Sequence, residues 1–408
     1  MKDSGIEWIG EIPENWDISS IGTLFFAKAG GDAKPELYSD TQDEQHPFPV
    51  YTNTLEKEQV YAYTSNPVFE GNTITVTGRG DIGHAFYRDT PYDAIIRLIS
   101  LSPRIELHCP FYKYWIDVVP FFADNAAIGQ LSANQIKNYK AIIAPIKEQQ
   151  SISAYLDRQC SHIDNIIEKT KASVEEYKKL RQAVITQAVT KGVRGDRPMK
   201  DSGSVWFGDI PVEWSAKRLK YQFHIKKDIA GKEGFTVLSI TQKGIIPKDL
   251  SKNEGQLAES YANYQLVDVG DFAMNHMDLL TGWVDISKFD GVTSPDYRVF
   301  VLDDKDNSDS HYFLYMMQMC YTNKIFYGLG QGVSGLGRWR LQADKFLNFV
   351  IPIPPYEGQK EIADYLDKKC AEIDTLITKK EQFLAELESY KKSLIYEYVT
   401  GKKEVPQS

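Results

Sequence analysis

This chain of 408 residues contains two copies of the stretch Met1-Lys2-Asp3-Ser4-Gly5-Ile6-Glu7-Trp8-Ile9-Gly10-Glu11-Ile12-Pro13-Glu14-Asn15-Trp16. The second copy occupies residues 199–214 and keeps Met-Lys-Asp-Ser-Gly, Trp, Gly, Ile-Pro and the final Trp at unchanged spacing. We call each copy a tryptophan motif. Because identity at this density does not arise by chance, an internal duplication organises the chain.

A second pair of matching segments lies later in each half. Tyr155-Leu156-Asp157 matches Tyr365-Leu366-Asp367, and the match continues without a gap to Val189-Thr190 and Val399-Thr400. Between the tryptophan motif and this segment the similarity is faint, and the spacing drifts by insertions and deletions. The sequence therefore predicts a duplicated framework that carries two dissimilar globular regions.

The later segments predict long helices at about residues 147–190 and 357–400. They contain no Pro and, apart from Gly358, no Gly, and each is followed by a Gly at 192 or 401. Their apolar residues recur every three or four positions. The predicted apolar seam of the second helix is Ile362, Leu366, Ile373, Leu376, Phe383, Leu387, Tyr390 and Leu394. That of the first helix is Ile152, Leu156, Ile163, Ile166, Tyr177, Leu180 and Val184.

A helix of this length extends roughly 60 Å, and its apolar face needs a cover. The simplest cover is the other copy, packed antiparallel as a two-stranded coiled coil within the chain, which relates the two halves by a pseudo-two-fold repeat. Two alternatives stay open: each helix could lie on its own domain, or pair with a helix of another chain.

The sequence predicts a mixed α/β structure for both globular regions. Predicted strands are Thr73–Thr77, residues 94–99, 236–240 and 297–301, and predicted helices lie at 111–122 and 312–326. The fold class is therefore mixed α/β: two α/β domains joined by two long antiparallel helices. The predicted boundaries are 1–16 and 199–214 for the tryptophan motifs, 17–142 and 215–352 for the globular domains, and 143–198 and 353–408 for the helical regions.

Composition places the chain among globular proteins, with 42% hydrophobic, 12% aromatic and 25% charged residues. The first residues are partly acidic and contain no apolar run, and no later segment has the length of a membrane span. We expect a cytoplasmic protein with no membrane contact. The four cysteines, Cys109, Cys160, Cys320 and Cys370, are too scattered for a disulfide framework or a metal pair and are expected to be reduced.

Two glycine patterns resemble the dinucleotide-binding fingerprint, at Gly78, Gly80 and Gly83 and at Gly330, Gly332 and Gly335. Neither lies between a strand and a helix as phosphate binding requires, so we do not assign a cofactor to them. In the first half the pattern favours a polar loop between strands. The loop residues that we expect to read base edges are Thr77, Arg79, Asp81 and His84. An ordinary hairpin tip explains the pattern equally well.

The second half offers a counterpart of this loop that keeps only one glycine, as expected if one framework must read different bases. Its candidate DNA-binding residues are Asn275, His276 and Asp278, followed in the glycine-rich loop 328–340 by Gln331, Ser334, Arg338 and Arg340. The first half offers Asn125 and Gln130 at the place of the glycine-rich loop. For Arg338 and Arg340 we expect phosphate rather than base contacts, with a surface salt bridge as the alternative.

Catalytic motifs are missing from the sequence. It contains no ATP-binding Gly-x-x-x-x-Gly-Lys-Ser/Thr loop, no His-Glu-x-x-His and no Gly-x-Ser-x-Gly, and Pro354-Pro355-Tyr356 lacks the preceding acidic or amide residue of an amino-methyltransferase. Seven scattered His show no metal-ligand spacing. The net charge of −9 opposes nucleic-acid binding, unless basic residues are concentrated locally or partner subunits supply positive charge.

The whole chain resembles the specificity subunits of type I restriction–modification systems. The resemblance is carried by both Ser-Gly-x-x-Trp-x-Gly-x-Ile-Pro-x-x-Trp motifs, by Pro145-Ile146-Lys147-Glu148-Gln149 and by the Tyr-Leu-Asp helix starts; Gly358 interrupts the Glu-Gln pair in the second half. It implies two target recognition domains, each reading one half of a bipartite double-stranded DNA sequence.

The resemblance also implies a non-catalytic role beside partner subunits. Methylation subunits, expected in two copies, would carry S-adenosylmethionine and modify adenine, and restriction subunits would carry ATP and Mg²⁺. No cofactor, metal or catalytic residue is expected in this chain. Two alternatives stand beside this interpretation: a self-contained nuclease or transferase with an unfamiliar active site, and a coiled-coil scaffold that does not contact DNA.

Overall fold

The computed structural model describes residues 1–56, 59–121, 130–249, 258–332 and 339–406. They form two compact units. The first unit comprises Met1–Lys171 and Gln382–Ser408, and the second comprises Ala172–Glu381. Each unit holds one tryptophan motif, one globular region and parts of both long helices.

The elements of the first unit follow chain order. They are β1 (Lys2–Asp3), β2 (Glu11–Ile12), β3 (Asp17–Ser20), α1 (Ile21–Leu24), β4 (Phe25–Ala29), a 3₁₀ turn (Pro35–Leu37), β5 (Tyr38–Ser39), β6 (Phe48–Tyr51), β7 (Ala62–Thr64), β8 (Thr73–Val76), β9 (Ala85–Arg88), β10 (Asp93–Ala94), β11 (Ile99–Pro103), α2 (Cys109–Val118), α3 (Ala133–Ile136) and β12 (Lys140–Ile143). The long helix α4 (Ile146–Lys191) begins in this unit and continues into the next.

The second unit repeats this order with differences in its middle. Its elements are β13 (Met199–Asp201), β14 (Asp209–Pro211), β15 (Ser215–Arg218), a 3₁₀ turn (Leu219–Tyr221), β16 (Phe223–Lys226), β17 (Leu238–Thr241), β18 (Gly244–Pro247), β19 (Gln265–Val267), β20 (Phe272–Met274), β21 (Val284–Ile286), β22 (Gly291–Thr293), β23 (Arg298–Leu302), α5 (Ser310–Thr322), α6 (Ile325–Leu329), α7 (Ala343–Asn348) and β24 (Val350–Ile353). The second long helix, α8 (Tyr356–Val399), begins here.

A four-stranded antiparallel sheet forms the core of each globular region. The strand order is β4-β11-β8-β9 in the first unit and β16-β23-β20-β21 in the second, which is the same topology. Helix α2 covers the first sheet with Phe111 and Trp115, both fully buried. In the second unit the fully buried Phe313 of α5 packs edge-on against Phe223 of the sheet, with ring centroids 5.2 Å apart. The predicted mixed α/β class is confirmed.

Each tryptophan motif folds into a small hairpin packed on the end of a long helix. In the first unit Ile12 and Trp16 lie in one core with Val399, and in the second unit Ile210 and Trp214 lie in one core with Val189. Gly192 and Gly401, just past the helix ends, have φ of +78° and +70°, which lets the chain turn away. Each copy of the tryptophan motif therefore packs against the C-terminal end of one long helix.

Matched polar residues fasten each long helix to its globular region. Gln149 accepts a hydrogen bond from the backbone of His108 (2.9 Å) and donates one to the carbonyl of Ala144 (2.7 Å). Tyr114 of α2 donates to the Asp157 carboxylate at 2.7 Å. Their counterparts in the second unit, Gln359 with Asp309 and Pro354, and Tyr315 with Asp367, make the same contacts. These roles explain why the Tyr-Leu-Asp segments match.

The two long helices pair antiparallel in each unit, as the sequence predicts. In the first unit Lys391 lies 2.6 Å from Asp164, and the rings of Tyr155 and Tyr398 are 4.6 Å apart. In the second unit Arg181 lies 2.9 Å from Asp374. The pairing is therefore within the chain in both units. The observed helix bounds differ from the predicted ones by one residue at each end.

The predicted apolar seam is wrong in the middle of the helices. Leu376, Phe383 and Tyr390 of α8 are exposed, as is Leu180 of α4. The buried and half-buried apolar residues of α8 are instead separated by steps of three, four or seven: Leu366, Cys370, Ile373, Ile377, Leu384, Leu387 and Leu394. Two apolar rows one residue apart share a seven-residue repeat, so spacing alone did not show which row faces the partner helix.

One predicted strand is also wrong. Residues 94–99 were predicted to be continuous, but β10 ends at Ala94 and β11 begins at Ile99. Between them Ile96 and Arg97 have φ of +53° and +63°, a left-handed conformation that is unusual for a β-branched side chain. The other predicted strands and helices are present with shifted ends, and α5 and α6 divide the predicted helix 312–326.

All four cysteines are buried free thiols, as predicted. In the described part of the chain no helix combines the length and the apolar character needed to span a bilayer. The same residues contain no group of three or more His, Cys, Asp or Glu side chains arranged to hold a metal ion.

Candidate nucleic-acid interface

The predicted loop of the first unit joins β8 to β9 and exposes the Arg79, Asp81 and His84 side chains. Thr77, a fourth predicted contact residue, is fully buried: its hydroxyl donates to the Asp81 carbonyl at 2.6 Å and accepts from the His84 amide at 3.0 Å. Thr77 therefore holds the loop closed from inside, and Gly83 completes the turn with φ of +88°. The exposed side chains face solvent from a fixed backbone.

A second segment of the first unit supports this loop. Gln130 forms an isolated bridge with Arg79, and the Leu131 amide donates to the Gly78 carbonyl at 2.9 Å. Asn53 accepts from the Gly78 amide at 2.8 Å. The predicted residue Asn125 lies outside the described residues. The loop and residues 130–131 thus lie side by side.

The strained turn at Ile96 and Arg97 adds a residue that the sequence analysis missed. A Cβ on Gly78 would lie 3.0 Å from the Arg97 carbonyl oxygen, so the turn is adjacent to the loop. The Arg97 side chain is exposed. Non-glycine residues held at positive φ are concentrated at functional sites because the surrounding structure must maintain the strain. Arg97 therefore joins Arg79 as a second cation on this surface.

The second unit builds its loop between β20 and β21 on a different set of side chains. Asn275 and Asp278, both predicted contacts, are half-buried: the Asn275 side chain accepts from the Met277 and Asp278 amides at 3.2 Å. The Asp278 carboxylate accepts from the amides of Leu280 (3.0 Å) and Thr281 (2.9 Å). The Asp278 carboxylate and the Asn275 side-chain amide therefore both shape the turn. Burial alone would raise the pKa of Asp278, but these hydrogen bonds hold it below its usual value.

The described residues at the two ends of the glycine-rich segment lie beside the loop of the second unit. Gln331 and Arg340 exchange backbone hydrogen bonds of 2.8 and 3.0 Å, and the Leu341 amide donates to the His276 carbonyl at 2.9 Å. Gln331 is exposed, while Arg340 is half-buried. Ser334 and Arg338 lie outside the described residues.

The backbone framework of the two loops is the same, and the side chains differ. Leu131 bonds to Gly78 as Leu341 bonds to His276, and Gln130 stands where the second unit has Arg340. In the sheets, Ile99 pairs with Val76 as Arg298 pairs with Met274. The first unit therefore has Gly, Gln and Ile at three positions where the second has His, Arg and Arg.

Arg298 is the main residue of the second unit that sequence reasoning missed, because it lies in a predicted strand between apolar neighbours. Its side chain is only 5% exposed, and burial lowers the pKa of the guanidinium to about 10, so it stays charged at neutral pH. Burial, together with Arg298 and Arg340, lowers the pKa of His276 to about 4. A charged residue placed inward in an otherwise apolar strand was the available signal.

Comparisons with known proteins agree with this architecture. The family of the type I restriction modification DNA specificity domain matches residues 13–176 and 214–386. The type I restriction enzyme MjaVIII specificity subunit of Methanocaldococcus jannaschii is 26% identical over 416 residues, covering 96% of this chain and 93% of that protein. A Mycoplasma pneumoniae protein named as a type I specificity subunit is 32% identical over 149 residues, covering 36% of this chain and 44% of its relative's length.

Solved structures share the fold. A chain from a study of complex assembly and conformational transition of the type I restriction–modification system aligns with a TM-score of 0.69 at 12% identity, covering 96% of this chain and 100% of that one. The HsdS subunit of Thermoanaerobacter tengcongensis aligns with a TM-score of 0.51 at 12% identity, covering 99% and 100%. This chain belongs to the family of type I restriction–modification specificity subunits.

Proposed function

We propose that each unit reads one half of a bipartite double-stranded DNA target and so directs adenine methylation or restriction by partner subunits. One observation carries the proposal: a common backbone framework presents Arg79, Asp81 and His84 in one unit and Asp278 and Gln331 in the other. Different side chains on matched loops are what reading two different half-sites requires. A scaffold that does not contact DNA gives no reason for this divergence.

The long helices then fix the distance between the half-sites. Helix α4 has 46 residues, which corresponds to about 69 Å of helix at 1.5 Å per residue. Successive major grooves on one face of a duplex are separated by about 34 Å, so a helix of this length suffices to keep two recognition domains one or more turns apart. The proposed target therefore has a gap of constant length.

Local positive charge supports DNA binding despite the net charge of −9. Arg79 and Arg97 are exposed beside one loop, and in the part of the chain that the structure describes neither forms an ion pair. Arg298 and Arg340 lie beside the other loop. Cations free of carboxylate partners are available to phosphates, whose neutralisation supplies much of DNA affinity. Partner subunits would supply the remainder of the positive field.

We further propose that the chain has no catalytic centre and binds no cofactor of its own. Methylation subunits, in two copies, would bind S-adenosylmethionine, and restriction subunits would bind ATP and Mg²⁺, all in the cytoplasm where the DNA lies. The relatives named above are specificity subunits, and no catalytic motif occurs in this sequence. Methyl transfer or metal-dependent cleavage by the purified chain alone would contradict this assignment.

Methylation mapping tests the proposal. The chain would be co-expressed with its methylation subunits, and modified adenines would be located across a genome that carries many candidate sites. We expect one split motif, in which two short specified halves flank a gap of constant length. Removing one heptad from each long helix should shorten that gap by about 3 base pairs. A continuous motif, or no motif, would refute the proposal.

A further inference from the structure

We propose that a cavity beside Arg298 and His276 in the second unit binds one phosphate group of the DNA backbone. The inference rests on the proposed DNA-binding function and adds to it a specific contact. The cavity has a volume of about 340 Å³. Its walls include Lys227, His276 and Arg298 and the polar side chains of Gln265 and Gln342. Among the described residues that line it, none carries a carboxylate.

Arg298 is a buried cation that lacks an anionic partner. Its Nη2 donates to the Leu341 carbonyl at 2.8 Å, its Nη1 lies 3.9 Å from the Met274 sulfur, a weak acceptor, and its guanidinium lies 5.0 Å from the centre of the Phe346 ring. No described carboxylate lies within ion-pair distance of it. Burying a guanidinium is costly unless it is paired, and its five N–H donors are not satisfied by one carbonyl. The remaining donors of Arg298 are available to an acceptor from outside the chain.

Two nearby nitrogen atoms also lack a hydrogen-bond partner. The Nδ1 of His276 and the Nε of Arg340 are buried and have no hydrogen-bond partner. Buried polar atoms are nearly always hydrogen-bonded in native proteins, so the unpaired ring nitrogen of His276, which lines the cavity, indicates a missing ligand. The three residues lie close together, because the Leu341 amide donates to the His276 carbonyl at 2.9 Å, Arg298 donates to the Leu341 carbonyl at 2.8 Å, and Arg340 directly precedes Leu341.

The chemistry of these groups selects a phosphate. A planar guanidinium binds two phosphate oxygens at once, and a histidine can donate a further hydrogen bond. The cavity adjoins the loop between β20 and β21 through His276 itself. The first unit has Gly78, Ile99 and Gln130 at the corresponding positions and therefore lacks this site. The contact should consequently affect one half-site only.

The test replaces Arg298 with Met in the full chain, assembled with its methylation subunits. Binding of target duplex is measured across a range of salt concentrations, and phosphates are mapped by ethylation interference. We expect the slope of log affinity against log salt to fall by about 0.9, the value for one phosphate. One phosphate of the second half-site should lose its sensitivity to ethylation, while the methylated motif stays unchanged.

Arg88→Met is the matched control. Arg88 is also 5% exposed, but its Nε donates to the Thr75 hydroxyl at 3.1 Å and its guanidinium lies 3.5 Å from the centre of the Tyr51 ring. The salt slope of this variant should equal that of the wild type. An unchanged slope and footprint in folded R298M would overturn the proposal, as would a changed base preference in the second half-site.

A measurement on the unmodified chain covers the case in which R298M does not fold. The His276 ring is followed by NMR, with either target duplex or inorganic phosphate added. Duplex should raise the pKa of His276 well above about 4, since a phosphate stabilises the imidazolium. If inorganic phosphate raises the pKa of His276 but target duplex does not, the assignment to DNA is overturned. If the wild-type complex binds no duplex, the proposed function fails, whereas the inorganic phosphate experiment still tests the cavity.

Discussion

Gln149 and Gln359 show at the scale of single residues why the duplicated segments match. Each is 2% exposed, and each bonds a backbone amide of the globular region and a carbonyl just before the long helix. A glutamine is long enough to reach both and carries one donor and one acceptor group. The match between Gln149 and Gln359 therefore reflects a structural requirement of the junction between each globular region and its long helix.

Replacing Gln359 by Ala tests this role. The substitution leaves the Asp309 amide and the Pro354 carbonyl without partners in a buried position. We expect the free energy of unfolding to fall by about 2 to 4 kcal/mol, because each orphaned group costs about 1–3 kcal/mol. Urea unfolding followed by tryptophan fluorescence measures the change. The exposed Lys368→Ala on the same helix should stay within about 0.5 kcal/mol of the wild type; equal values for the two variants would contradict the assignment.

Which residues form the candidate interface could be predicted only in part. The exposure of Arg79, Asp81 and His84 followed from polar, glycine-containing sequence between two strands. Thr77 lies in the same loop but is buried, because its hydroxyl is short enough to bond the loop from within. Arg298 and Arg97 were missed because their positions depend on which strand faces which cavity, and a single sequence does not contain that information.

At the scale of elements, the register of the paired helices decides which apolar row is buried. Leu366 is fully buried in the core of the second unit, whereas Leu376 is 42% exposed. The sequence predicted the length, ends and antiparallel pairing of both helices, since Pro, Gly and periodicity mark them. It misplaced the seam, because the exposed Leu376 and Phe383 repeat with the same seven-residue period as the half-buried Ile377 and Leu384, one position later.

Alanine substitution separates the two rows. Leu366→Ala should lower the free energy of unfolding by about 2–5 kcal/mol, since it removes buried methyl groups and leaves a cavity. Leu376→Ala has the same chemistry on the same helix and should cost less than about 0.5 kcal/mol. Thermal and urea unfolding provide the measurement. Equal losses would show that the row through Leu376 is the one that packs in solution.

The turn at Ile96 and Arg97 illustrates a second limit at this scale. Residues 94–99 are mostly apolar and include three isoleucines, which favours a continuous strand. The chain instead breaks there, placing two residues at positive φ beside the Gly78 loop. Tertiary packing therefore overrides the local preference for a strand here, at a candidate functional site, which is where such conflicts are expected.

At the scale of the whole molecule, the duplication gives two units with one topology and different surfaces. Their sheets, tryptophan motifs and helix junctions correspond, while the side chains beside the loops do not. Under the proposed function, a common framework that binds the partner subunits accounts for the shared topology, and the reading of two unlike DNA half-sites accounts for the different surfaces. Net charge alone pointed the other way, because it is a sum over the whole chain and does not show local cations such as Arg79 and Arg97.

Exchange of one globular region tests this account most directly. Residues 17–142 would be replaced by the corresponding region of another family member, and the adenines methylated by the complete complex would be mapped. The account predicts that one half of the split motif changes, while the other half and the gap between them stay as in the wild type. A change in both halves, or in neither, would contradict it.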